Sequence, residues 1–255
     1  MVSFSANSQK KMSPNRNLET SPQVYARTGG VLYLILILAG MFAVIFVRDK
    51  FIVSGDVAAT AHNIMAHPLL WRMGIAADLV MHICDVPVML VLFVLLRPVN
   101  KNLALLSLLF NVVQTAVLVA NKLSLIAALF PLGNADYLKA FGPHQLYAQA
   151  YLSLKLHDYG FGVGLIFFGF TCLVNGHLIF RSGYLPKAIG VLMQIAGLCY
   201  LMNSFALLLA PAFAAQLFPW IILPCFIAEL LFCLWLILKG VNIVKWEKQA
   251  NSIDS

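Results

Sequence analysis

The chain has 255 residues, of which 61% are hydrophobic and 11% charged, with a formal net charge of +7 and a mean hydropathy of +0.87. Those values exclude a soluble domain and point to a multi-pass membrane protein in a lipid bilayer. The basic residues gather at the ends and in short loops, the pattern that sets topology, and no nucleic-acid reader is visible.

Residues 1–27 are polar, rich in Ser, Asn and Gln, and read as a disordered cytoplasmic tail. An uncleaved first span is expected from Gly30 to about Val47, ended by Arg48, Asp49 and Lys50. Ser54 to His67 has a Ser/Asp start and amphipathic spacing, and is expected as a short helix on the outer surface. His67-Pro68 then turns the chain into a second span, Leu69 to Leu96.

The third span is expected from Leu103 to roughly Phe130, with Asn111, Gln114, Asn121 and Lys122 in an apolar background and Pro131 to Asn134 as its stop. An aromatic, amphipathic connection follows, whose segment Asp136 to Ala150 is expected on the outer surface. It leads into a fourth span that runs to Arg181 and carries Lys155, His157 and Asp158 at its outer end. A tight turn, Ser182 to Lys187, opens the fifth span, Ala188 to Leu209. The sixth runs from about Leu217 to Leu238, with Glu229 inside it and a polar C-terminal tail at residues 242–255. The result is an all-α six-helix bundle over residues 28–241, with short interfacial helices on the outer side. Basic residues at Arg97/Lys101, Arg181/Lys187 and the C-terminal lysines put both termini in the cytoplasm of a cell inner membrane. The five cysteines, Cys84, Cys172, Cys199, Cys225 and Cys233, lie in apolar runs without CxxC spacing and read as small buried hydrophobes. Oligomeric state leaves no signature in the sequence.

Four segments carry a resemblance: ARTGGVLYLILILAG at the opening, GIAADL in the second span, GHLIFRSGYLPKAIGVLMQIAGLCYL at the fourth-to-fifth junction, and IAELLFCLWLILKGVN near the end. Together the chain resembles the bacterial family of six-span membrane proteins catalogued as domain of unknown function 4386. The resemblance implies six helices and brings no chemistry to carry over.

The second span is the unusual one. Asp78, His82 and Asp85 stand at i, i+4 and i+7, one stripe of a helix. An ionisable group near the bilayer centre costs at least about 2.5 kcal/mol, so the stripe must face protein or water. Pro87 is expected to kink the helix and free the carbonyl of Ile83. At about 1.5 Å per residue, His82, Asp85, Asn111, Gln114, Cys225 and Glu229 fall near the midplane of a hydrocarbon layer roughly 30 Å thick. Arg72, Asp78, Lys122, Lys155, His157 and Asp158 fall at the outer rim, either as a snorkelling, ion-paired rim or as a mouth that attracts an anion.

Three functions fit. The first is an outward-open cavity that binds a small polar or anionic ligand, with proton-coupled transport. Its ligand-binding set is Asp78, His82, Asp85, Gln114, Lys122, Lys155, His157, Asp158 and Glu229. The second is an intramembrane hydrolase with a divalent metal on His82 and Asp85. Its motif is incomplete, since zinc chemistry takes three protein ligands and the chain has no HExxH. The third is a structural or accessory protein whose polar residues lock the helices together.

Overall fold

The computed structural model describes residues 21–252. Among the described residues six helices are long and apolar enough to cross a membrane: Pro22–Phe51, Pro68–Leu96, Lys101–Ala127, Pro143–Ser182, Lys187–Leu209 and Trp220–Leu238. They are numbered here as spans one to six. Each packs on its neighbour in sequence, and span six packs back on span one, so the bundle is a closed ring. The short turns after spans two and four, the start of span one and the end of span six share one end of the ring. The helix Val57–Ala66 and the Pro131–Gly142 connection sit at the other.

Several helix limits differ from expectation, each for a local reason. Span one begins at Pro22, where Ser21 Oγ accepts from Gln23 N at 3.4 Å and proline fits the first helical turn. Of the expected tail, residues 1–20 lie outside the described residues, while Pro22 to Arg27 are helical. Span one also continues through Arg48 to Phe51, because the Arg48 charge is met inside the bundle rather than at the membrane surface. Span two runs unbroken as helix through Pro87.

The segment expected to lie flat at Asp136 to Ala150 divides. A 3-10 turn, Asp136–Ala140, is followed by Pro143–Ser182, a 40-residue helix capped by Gln145 Oε1 on Gly142 N. That helix is about 60 Å long, twice a hydrocarbon layer, so its first turns stand clear of the bilayer. Val57–Ala66 packs against them through His62 and Tyr147, whose ring centroids are 5.3 Å apart.

The end that holds both chain termini is tied by backbone acceptors. Leu95 O receives Tyr184 Oη at 2.6 Å and Trp246 Nε1 at 3.0 Å. Burial pushes the ionisation of the Tyr184 hydroxyl further up, so it stays a donor. Gln23 accepts from Val241 N and donates to Lys239 O, both at 3.0 Å, which joins the start of span one to the end of span six. The expected polar tail is therefore largely the helix Ile243–Asn251, docked by its buried Trp246.

Spans four and five make the closest approach. A Cβ built on Gly190 would stand 2.7 Å from the Gly176 carbonyl oxygen, and one on Gly197 2.7 Å from that of Gly169. Gly190→Val is accordingly expected to cost about 2 kcal/mol or more by overpacking against backbone. Val191→Ala, on the exposed face beside it, should change little. Thermal unfolding of both variants in detergent checks this.

Candidate functional site

The ring closes around a cavity of about 190 Å³, to which all six spans contribute lining residues. It extends along span two from Asp78 to Phe93, about 22 Å of helix. Its polar groups come in layers. Between them lie apolar side chains such as Met89, Leu92, Leu165 and Met193.

The first layer is ionic. Both terminal nitrogens of Arg48 donate to Asp78, one of them to Oδ1 at 3.3 Å. Lys122 Nζ stands 3.2 Å from Asp78 Oδ2 as an ion pair without a directed hydrogen bond. It also lies 5.9 Å from the centroid of Phe161. Asp78 is 0% and Lys122 2% exposed, so two cations meet one carboxylate out of bulk water. Arg48 ends a stretch of π-helix, Phe42–Arg48, a wider winding that recurs at functional sites. Leu36 and Gly40 from the α-helical part of span one, and Val44 and Arg48 from the π-helical part, line the cavity.

One turn further along span two comes His82, buried, with Nε2 lacking a hydrogen-bond partner among the described residues. The next layer centres on Asp85. It accepts from Thr115 Oγ1 and from Asn111 Nδ2 at 3.3 and 3.4 Å, while Asn111 Oδ1 has no hydrogen-bond partner among the described residues. Across the ring, Glu229 accepts from Tyr33 Oη at 3.0 Å and from Tyr200 Oη. Among the described residues no cation touches Asp85 or Glu229. Below them Ser107 Oγ donates to Asn175 Oδ1 at 2.7 Å. A buried polar atom without a partner costs about 1–3 kcal/mol, so His82 Nε2 and Asn111 Oδ1 mark places where a ligand atom or water would be stabilising.

Of the residues singled out from sequence, Asp78, His82, Asp85, Gln114 and Glu229 line this one cavity. Lys122 does not stand at an open mouth; it is buried behind Asp78. Lys155 and Asp158 pair with each other at 3.7 Å, half exposed, and neither lines the cavity. His157 is buried, and its carbonyl accepts from Asn121 Nδ2 at 2.9 Å. Arg72 is exposed. Arg48, Tyr33, Tyr200 and Thr115 belong to the cluster and were absent from the sequence-based set. Arg48 sits in a run of charges that looks like a helix stop, and the two tyrosines look like ordinary packing in apolar segments.

The divalent metal expected on His82 and Asp85 lacks a ligand set. Among the described residues no group of three His, Cys, Asp or Glu side chains converges, and a zinc centre for hydrolysis takes three protein ligands.

The ionic layer has a direct energetic consequence. Asp78→Asn leaves Arg48 and Lys122 buried without a counter-charge and should cost about 3 kcal/mol or more. Adding Lys122→Met removes the more deeply buried of the two stranded charges and should recover part of that loss. Thermal unfolding in detergent of the single and double variants measures both.

A family model described as a domain of unknown function, DUF4386, matches residues 28–240. An uncharacterized protein of Archaeoglobus fulgidus is 34% identical over 158 residues, 62% of this chain and 78% of that protein. No solved structure matches the chain.

Proposed function

The chain belongs to the DUF4386 family, a membership that fixes no activity, and from the cavity itself we propose that it binds a small polar or anionic ligand inside the membrane and moves it in step with protons. The ionic layer carries this reading. Two cations against one carboxylate leave an excess positive charge beside a narrow, largely apolar-walled cavity, where an anion is attracted more strongly than at an open surface. Asp85 and Glu229 are the proton-exchanging groups: both line the same cavity and are held by hydroxyl or amide donors rather than by fixed cations. The cavity opens outward from an inner membrane, with both termini cytoplasmic. The support for that orientation is the concentration of Arg97, Lys101, Arg181, Lys187, Lys239, Lys245 and Lys248 at the end that holds the termini.

Binding is tested on the full chain in lipid nanodiscs with straight-chain carboxylates from acetate to octanoate and with inorganic phosphate. At least one anion should raise the unfolding midpoint, and Arg48→Gln, which leaves Lys122 and Asp78 as a neutral pair, should abolish the rise. Anions without effect, or an unchanged response in Arg48→Gln, would sink the proposal.

Orientation is tested with a membrane-impermeant thiol reagent on intact cells. A cysteine at Asn134 should react and one at Lys187 should not; both positions are exposed, whereas Ser182 is buried and makes a poor probe.

A further inference from the structure

The cavity carries opposite chemistry at two heights. At the first, Arg48 lines the cavity with more N–H donors than Asp78 engages, and Lys122, buried behind Asp78, adds a second positive charge. At the second, acceptors are in excess: the carboxylates of Asp85 and Glu229, and Asn111 Oδ1, which is unpartnered on a side chain that is 5% exposed. The orientation of the Asn111 amide follows from its neighbour, since only its NH₂ can face a carboxylate favourably. Asp78 and Asp85 are seven residues apart on one helical stripe, so the two heights differ by about 10 Å.

Aromatic rings surround the second height. Tyr33 and Tyr200 hold Glu229, and Phe168 lies 5.2 Å from the Tyr200 ring, centroid to centroid; all three line the cavity. A carboxylate backed by aromatic faces suits an alkylammonium group, which gains Coulomb attraction and ring contact together. Other occupants fit less well. A purely apolar molecule leaves Asn111 Oδ1 and His82 Nε2 without partners. A simple anion that fills the cavity meets two carboxylates, and a simple cation leaves the excess charge of Arg48 and Lys122 unanswered.

Building on the anion site proposed above, we propose that the ligand is a zwitterion, with its anionic group at Arg48, in the field of the buried Lys122, and an alkylammonium group, about 10 Å away, held by Asp85, Glu229 and Asn111. His82, between the two heights, offers Nε2 to a polar atom along the connecting chain.

The test uses the full chain in nanodiscs and calorimetric titration with four probes. ω-Aminooctanoate carries both charges about 10 Å apart when extended. Octanoate keeps only the anion, octylamine only the cation, and γ-aminobutyrate has both charges too close together. ω-Aminooctanoate should bind about tenfold or more tightly than each of the other three, the equivalent of one well-made charged contact. Glu229→Gln and Asp85→Asn should each erase its advantage over octanoate without weakening octanoate itself, and Arg48→Gln should weaken both. If octanoate and ω-aminooctanoate bind the parent equally, or if both carboxylate variants leave the advantage intact, the ammonium site is wrong while the anion site stands. If neither probe binds and Arg48→Gln changes nothing, the anion site falls with it. The comparison of the four probes on the parent protein decides the matter even if a variant does not fold.

Discussion

Asp78 is a carboxylate with no exposed surface, inside a helix that crosses the apolar layer. Its charge cannot be left alone there, and the structure answers it with Arg48 from span one and Lys122 from span three. Three spans are thereby tied at one height. Basic side chains reach across the interfaces of span two with spans one and three, at the height where the cavity begins. Lipid-like packing between helices offers little net driving force in a membrane, so polar contacts of this kind and close glycine approaches set the geometry. The glycines do so on the opposite side, where spans four and five meet backbone to backbone.

The same constraint lets polar layers stand among the apolar side chains along the axis. Once water or a ligand can occupy the space beside Asp78, the next turns of span two can carry His82 and Asp85, and facing spans can carry Asn111, Gln114 and Glu229, without exposing any of them to lipid. Each carboxylate is met differently. Asp78 has guanidinium and ammonium partners, Asp85 an alcohol and an amide, Glu229 two phenols. A cavity whose lining changes from cationic to anionic within two turns of helix is suited to a ligand with two different ends.

The helices were legible in the sequence because apolar length and flanking charge are direct physical signals. The stripe of Asp78, His82 and Asp85 was legible because its cost in lipid admits only an inward orientation. Depth arithmetic served for height but not for direction around the helix axis: Lys122 sits near the height expected, yet it points into the bundle instead of snorkelling outward. Arg48 was hidden for the converse reason, since a charge at the end of an apolar run looks the same whether it anchors a helix at the surface or reaches inward. Tyr33 and Tyr200 left no signal, because their hydroxyls matter only through a glutamate some 30 to 200 positions away in sequence. The docked C-terminal helix was read as a polar tail because one tryptophan, Trp246, supplies the contacts that hold it.

Water access along the axis is the most direct test of a polar cavity at the centre of the ring. In a chain whose five native cysteines are replaced, a cysteine at Gln114, which lines the cavity, should react with a small hydrophilic thiol reagent in proteoliposomes. One at Leu109, on the exposed apolar face of the same span, should not. Equal protection at both positions, with a cysteine at Asn134 still reactive, would show that the axis is packed shut and would contradict the account.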